Sequence, residues 1–237
     1  MTDRILDTSN PDALLASMGF HPPDPARWCH PCSAGCGEMM LHPGYTCSDC
    51  ETKAHEAKAL AADLRKRIES IPVRYRGARF GEPMMLERVA DKRALDVAVT
   101  ALAHHTVVVL FGSPGSGKST IAAAIAVEEA TQGRSIAWAP SSRLAMARAE
   151  AKLGAEPPEV RDAIRANVTV VDDIGNEALT PTSAIVDVIF ARHDAERPLI
   201  VTTGLTRLDL AKRYGGGAGR RLLENALLIE MKPRGAT

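Results

Sequence analysis

Val107-Val108-Val109-Leu110-Phe111-Gly112-Ser113-Pro114-Gly115-Ser116-Gly117-Lys118-Ser119-Thr120 is the stretch that decides the fold. Its first half is apolar, mostly beta-branched and without alternation, as a central parallel strand buried on both faces must be. Its second half is a complete phosphate-binding loop. A strand that feeds a glycine turn and then a helix aims several backbone N–H groups and the positive end of the helix dipole at one point, where phosphates can sit. Gly112, Gly115 and Gly117 allow a close backbone approach, while Ser113, Pro114, Ser116 and Thr120 complete the cradle. Lys118 offers a charge to the beta and gamma phosphates of ATP, and the Ser119 hydroxyl is placed to ligate Mg2+. Behind the loop, Ile121, Ala122, Ile125 and Ala126 fall at helical spacing, and Gly133 stops that helix.

Hydrolysis needs a carboxylate to anchor Mg2+ and another to orient water. The apolar run Val168-Thr169-Val170-Val171 leads straight into Asp172-Asp173. In a parallel sheet the end of this strand lies on the same edge as the phosphate loop. Asp172 therefore suits magnesium, together with Ser119, and Asp173 suits polarising the attacking water. The competing reading, a turn or cap aspartate before Gly175, loses weight beside such a loop.

At 237 residues the chain can bury one substantial core and carry a small accessory module. Its 29 Lys and Arg balance 29 Asp and Glu, so no global basic field points to nucleic acid. Locally, Arg65, Lys66, Arg67, Arg74, Arg76 and Arg79 gather around Tyr75 and Phe80. This suits phosphate contacts and base stacking, and equally a solvated helix end. No stretch is long and apolar enough for a membrane span, and the first ten residues are too polar for a secretory signal, so a cytoplasmic location is expected. Thiols stay reduced in that compartment, and clustered cysteines there point to metal. Cys29-His30-Pro31-Cys32 and Cys47-Ser48-Asp49-Cys50 form two Cys-x-x-Cys pairs able to hold Zn2+ in a closed, structural tetrahedron. Cys36 is a substitute for Cys29, and His30 and His42 are spare ligands.

Along the chain, Pro11 to Gly19 has the first-turn proline and terminal glycine of a short helix, and the proline-rich segment Phe20 to Arg27 reads as an extended connector. Ala57, Leu60, Ala61, Leu64, Ile68 and Ile71 share one face of a helix from about Glu51 to Pro72. The domain boundary is expected at Pro72, with a zinc-binding and helical module over 1–72 and an ATPase domain over 73–237. Beyond it, strands (135–139, 168–172, 199–203, 227–231) alternate with helices (142–153, 158–166, 183–196 and two short ones after Thr203). That order implies an α/β fold with a parallel sheet flanked by helices.

From about Ile71 to Lys232, roughly two thirds of its length, the chain resembles the DnaC and IstB group of AAA+ ATPases. The resemblance rests on Ile71-Pro72-Val73-Arg74-Tyr75-Arg76-Gly77-Ala78-Arg79-Phe80, the phosphate loop and Val170-Val171-Asp172-Asp173-Ile174-Gly175-Asn176-Glu177. It continues through Arg192, Arg197 to Thr203, Ala211 to Gly215 and Arg220-Arg221-Leu222. It implies a helicase loader: a protein that grips a replicative DNA helicase through its N-terminal part and uses ATP and single-stranded DNA to place it. It also implies that Thr203 senses the gamma phosphate. The family usually has asparagine where this chain has Gly204, so the role falls to the Thr202 or Thr203 hydroxyl. Arg221 corresponds to the arginine that reaches into a neighbouring subunit's site, which implies self-association through the ATPase domain. The arginine usual just after Tyr-Gly is replaced within Gly215-Gly216-Gly217, and low intrinsic turnover that rises on assembly is expected. Two other readings stay open: a transposition helper of the IstB type, and an adaptor that holds nucleotide as a switch with negligible turnover.

Overall fold

The computed structural model describes residues 30–89, 91–152, 155–177 and 183–232. The expected N-terminal helix, the connector after it and Cys29 lie outside the described residues. The chain divides into two compact units, Met1–Ala61 and Ala62–Thr237.

In the first unit, β1 (His30–Pro31) and β2 (Met39–Met40) pair antiparallel, His30 opposite Met40. Helix α1 (Ser48–Arg67) follows and runs past Ala61 into the second unit; Asp49 and Glu51 stand in its first turn and Arg65, Lys66 and Arg67 in its last, complementing its dipole at both ends.

The second unit is built on five parallel strands: β3 (Val107–Gly112), β4 (Ile136–Pro140), β5 (Val168–Ile174), β6 (Leu199–Thr203) and β7 (Leu227–Met231). Their order in the sheet is β4-β5-β6-β3-β7, so β6 lies between the loop-bearing strand and the acidic strand. Strand parity divides the core into two layers. Val108, Leu110, Val170 and Ile200 face one layer, and Val107, Val109, Val171 and Val201 face the other.

The first layer is filled by α5 (Lys118–Thr131). Its run Ile121-Ala122-Ala123-Ala124-Ile125-Ala126-Val127 is buried all round. Small side chains let it lie close to the sheet, and its outer side is covered by the segment before β3. That segment holds a 3₁₀ turn (Val73–Tyr75), α2 (Pro83–Arg88), α3 (Lys92–Val99) and α4 (Ala101–His104), none of which the strand-helix alternation anticipates. Asp91 caps α3 by accepting from the N–H groups of Arg93 (3.1 Å) and Ala94 (3.2 Å). Ile68 and Ile71 are buried in this same layer.

The second layer is covered by α6 (Ser141–Glu150), α7 (Pro158–Arg165), α8 (Ala184–Asp194) and α9 (Arg207–Leu223). The two short helices expected after Thr203 are the halves of α9, which bends at Gly215 (φ 69°, ψ −176°). At the exposed edge, the Ser70 hydroxyl donates to Ile136 O (3.0 Å) and accepts from Trp138 N–H (3.2 Å), and Pro140 has no N–H to offer. Edge strand β4 is thereby blunted against further pairing.

Candidate active site

The loop forms where β3 ends. Gly112 has φ 149°, and a Cβ there would lie 2.6 Å from Met231 O of β7 and 3.0 Å from Ser116 Oγ. Gly117 caps α5 in the left-handed region (φ 97°), and a Cβ there would meet Arg88 O and Val89 Cγ2 at 2.9 Å. Any other residue at either place would push the loop out of shape. Ser113, Pro114 and Gly115 form the exposed rim, whereas Ser116, Lys118 and Thr120 are buried. The Lys118 ammonium donates to Gly112 O (2.8 Å) and Ser113 O (2.9 Å). Burial pulls its pKa down, and the Asp173 and Asp172 charges partly restore it.

The loop fits a polyphosphate on three counts. Ser116 Oγ is buried without a hydrogen-bond partner among the described residues. The glycine positions leave N–H groups at a helix N-terminus, which favours anions. A cavity of about 310 Å³ opens over Gly115, Gly117, Lys118 and Ser119, with Tyr75 and Arg88 on its far wall.

Strand parity brings the acidic element to this loop. Asp172 follows Val170 on the face that α5 covers, and its Oδ1 accepts from Ser119 Oγ at 2.8 Å. Thr202 follows Ile200 on the same face of β6, and its hydroxyl donates to the same oxygen at 2.7 Å. Ser119, Asp172 and Thr202 thus form one cluster spanning helix, acidic strand and the strand between, with the hydroxyl–carboxylate pair that a magnesium ion would use. Thr203, one residue on, faces the other layer: it is fully buried, donates to Ile174 O (2.8 Å) and accepts from Leu205 N–H (3.0 Å). The hydroxyl that reaches the site is therefore that of Thr202, and the period of two along β6 is the sequence signal that separates the pair. Thr202→Val is expected to slow nucleotide turnover about tenfold and, because it strands the Asp173 N–H, to cost roughly 1–3 kcal/mol in urea unfolding as well. Thr203→Val should carry a similar stability cost and leave turnover nearly intact.

Asp173 sits where the register of β5 shifts between Val171 and Ile174. It has φ 61°, unusual for a residue with a Cβ. Its N–H donates to Thr202 Oγ1 (2.8 Å), its carbonyl accepts from Ser141 Oγ (2.7 Å), and its Oδ2 accepts from Asn176 Nδ2 (2.9 Å). The bulge turns its carboxylate away from the strand's regular alternation.

Arg221 is held within its own chain. Its guanidinium lies 4.2 Å over the Phe190 ring, and Nε is 3.6 Å from Asp194. Arg220 makes an exposed pair with Glu224 at 3.6 Å. Part of the arginine cluster before β3 is also occupied locally. Arg76 donates to Ile71 O (2.8 Å) and Glu69 O (2.6 Å), and Arg79 to Arg76 O (2.9 Å) and Ala78 O (3.0 Å). Arg74 lies 4.6 Å over the Tyr75 ring.

In the N-terminal unit the ligand atoms of Cys32, Cys36, Cys47 and Cys50 all lie within 4.8 Å of one another. The structure thus brings Cys36, the substitute ligand of the sequence reading, to the other three thiols, and Cys29 lies outside the described residues. Cys32 N–H donates to Glu38 O (2.8 Å) and Gly35 N–H to Cys32 O (2.8 Å), closing the turn that carries Cys36 back to Cys32. The N–H groups of Cys47 and then Ala34 hold the Cys32 thiol down at about 6. The neighbouring Cys36 and then Cys47 thiols push Cys50 up to about 12. Four convergent sulfurs suit a soft divalent cation that stabilises all as thiolates. The full chain is expected to carry about one zinc by native mass spectrometry, to lose it in Cys36→Ser and to keep it in Cys29→Ser.

Residues 90–214, just over half of the chain, match the family model described as Novel STAND NTPase 3. A search of curated protein sequences gives no match. Among solved structures, the chain is similar to the DnaC helicase loader, at 24% identity and TM-score 0.54, covering 68% of this chain and 100% of that one. It is similar to DnaI at 19% identity and TM-score 0.50, covering 65% and 95%. It is also similar to the replication initiator DnaA bound to AMPPCP and single-stranded DNA, at 17% identity and TM-score 0.53, covering 65% of this chain and 51% of that one. At these identities the likeness shows the fold alone, a parallel sheet flanked by helices.

Proposed function

The chain belongs to the Novel STAND NTPase 3 family, and we propose that it is an ATPase that helps place a replicative DNA helicase on single-stranded DNA during replication initiation. The observation that carries the nucleotide half of this reading is the Ser119–Asp172–Thr202 cluster beside the phosphate loop. The loader half is supported by a four-cysteine unit ahead of an AAA+ domain that is similar in fold to the DnaC helicase loader and to DnaI. No helix among the described residues is long and apolar enough to cross a membrane.

ATP lies with its phosphates against the loop N–H groups, and Lys118 turns from the Gly112 and Ser113 carbonyls to the beta and gamma oxygens. Ser119 and Asp172 would hold Mg2+, which would supply charge neutralisation along the phosphates. Asp173 accepts a proton from the attacking water, and Thr202, bonded to both aspartates, reports the gamma phosphate's presence. Arg221 of one copy leaves Phe190 and Asp194 to meet the phosphates of its neighbour. Turnover is then slow in the isolated chain and rises on self-association with DNA or helicase. The N-terminal module over 1–72, in which Cys32, Cys36, Cys47 and Cys50 would hold Zn2+, grips the helicase.

A second reading, the nucleotide-held adaptor, is favoured by the contacts that keep Arg221 in its own chain. Affinity capture with ATP separates the outcomes. The full chain should recover a hexameric replicative helicase and Cys47→Ser should not; recovery of a transposase instead would overturn the loader in favour of a transposition helper.

A further inference from the structure

Glu177 is the most deeply buried carboxylate near the site, with no exposed side-chain surface, and nothing in the hydrolytic scheme uses it. It lies at the end of the turn that begins with Asp173. Its Oε2 accepts from Gly175 N–H at 2.8 Å, inside that turn. Its Oε1 accepts from the Tyr214 hydroxyl, and Arg213 Nη2 stands 3.5 Å from that same oxygen while also donating to the Glu177 carbonyl. Burial and then Glu177 itself push the Tyr214 hydroxyl well above its usual range, so it remains a donor. A buried carboxylate without such partners would be very costly, so its geometry is tightly defined.

Both ends of this network are at mechanically distinctive places. On one side, Gly175 (φ 110°) is so close to Leu205 that a Cβ would meet Leu205 Cδ1 at 2.6 Å, and Asn176 holds the Asp173 carboxylate. On the other, Tyr214 immediately precedes Gly215, where α9 bends before Gly216 and Gly217. The far half of α9 carries Arg220 and Arg221. A few residues thus join the Asp173 turn to the hinge of the element that bears the trans-acting arginine.

We propose that Glu177 is a positioning residue that couples the two: it fixes the Asp173 turn through Gly175 while gripping the α9 hinge through Tyr214. A change in the bend at Gly215, as Arg221 leaves its own chain for a neighbour, is then transmitted to the carboxylate that activates water. The proposal deepens the ATPase reading and rests on it for its catalytic consequence; the mechanical coupling is open to a separate measurement.

Tyr214→Phe removes one hydroxyl from the network and leaves Glu177 with Gly175 and Arg213. In the full chain, amide hydrogen exchange at Gly175 and Asn176 is expected to speed up at least about tenfold while exchange across β3 and β7 is unchanged. Unchanged exchange at Gly175, or an increase spread evenly over the sheet, would overturn the coupling. Steady-state hydrolysis gives the second readout: Tyr214→Phe and Glu177→Gln should each lower kcat about tenfold with KM for ATP held. Arg221→Ala should cost less in either background than in the native chain. Additive losses would mean a merely structural role. A native chain that hydrolyses no ATP even when assembled with DNA would sink the ATPase reading, and the exchange experiment would still decide the coupling.

Discussion

Asp173→Asn should leave a protein that binds ATP and hydrolyses it at least about a hundredfold more slowly than the native chain, because general-base contributions of a positioned carboxylate run to 10²–10⁴-fold. The amide keeps the size of the side chain and can still bond Asn176, so the turn that places it should survive. Lost is the capacity to take a proton from water. Asp172→Asn should fail differently. Its Oδ1 receives both Ser119 and Thr202 hydroxyls, so the variant loses the magnesium-dependent part of nucleotide affinity as well as turnover. Equilibrium binding of a fluorescent ATP analogue, with single-turnover hydrolysis, distinguishes the two. Equal helicase placement by native and Asp173→Asn chains would favour the adaptor, in which nucleotide is held and not spent.

Arg192→Met is the second large effect, and it lies far from the phosphates. Arg192 is fully buried and, among the described residues, has no carboxylate partner, an arrangement that only a dense set of acceptors can support. Its guanidinium donates to Ala163 O (3.0 Å), Ile164 O (3.2 Å), Ala166 O (2.9 Å), Asn167 O (2.9 Å) and Pro198 O (2.6 Å). These are the carbonyls at the end of α7 and at the entries to β5 and β6, groups that a helix terminus cannot satisfy itself. The cation also sits at the negative end of the α7 dipole. Burial and then the Arg197 charge lower its pKa to about 10, which leaves it charged at neutral pH. Methionine fills the volume and abandons every acceptor, at an expected cost of at least about 3 kcal/mol. In thermal unfolding this corresponds to a fall of about 6–12 °C for a domain of this size. Arg192→Lys should recover only part of it, since an ammonium lacks the planar fork that spans these carbonyls. An unfolding midpoint within 1 °C of native for Arg192→Met would show that water or a shifted backbone satisfies the acceptors.

The phosphate loop, the acidic strand and the α/β order were legible because each is local: a strand, its turn and the next helix are contiguous, and apolar periodicity marks them. What eluded the sequence depends on distance or parity. Thr202 and Thr203 are chemically identical neighbours, and only the shared face of Val170, Ile200 and α5 tells which one meets Asp172. Cys29 and Cys36 both have plausible spacing, and the turn closed by Cys32 and Glu38 brings Cys36 to the other thiols. The segment between Pro72 and Thr106 reads weakly because its helices are short and exist to cover α5. The buried Glu177 looks like any turn carboxylate until Tyr214, a distant residue, is seen beside it.

The close passage of Gly112 under β7 sets an order of events during synthesis. β3 pairs in register with β7 from Val108 opposite Leu227 to Gly112 opposite Met231, and of the five strands β7 is the last to leave the ribosome. The backbone that shapes the loop's first glycine is therefore missing while the rest of the sheet is being made. A growing chain should pass through a stage in which its phosphate loop is translated yet unable to grip nucleotide. On the proposed function, ATP would bind only after β7 has docked and would latch the finished domain, stabilising it with the logarithm of its concentration over its Kd.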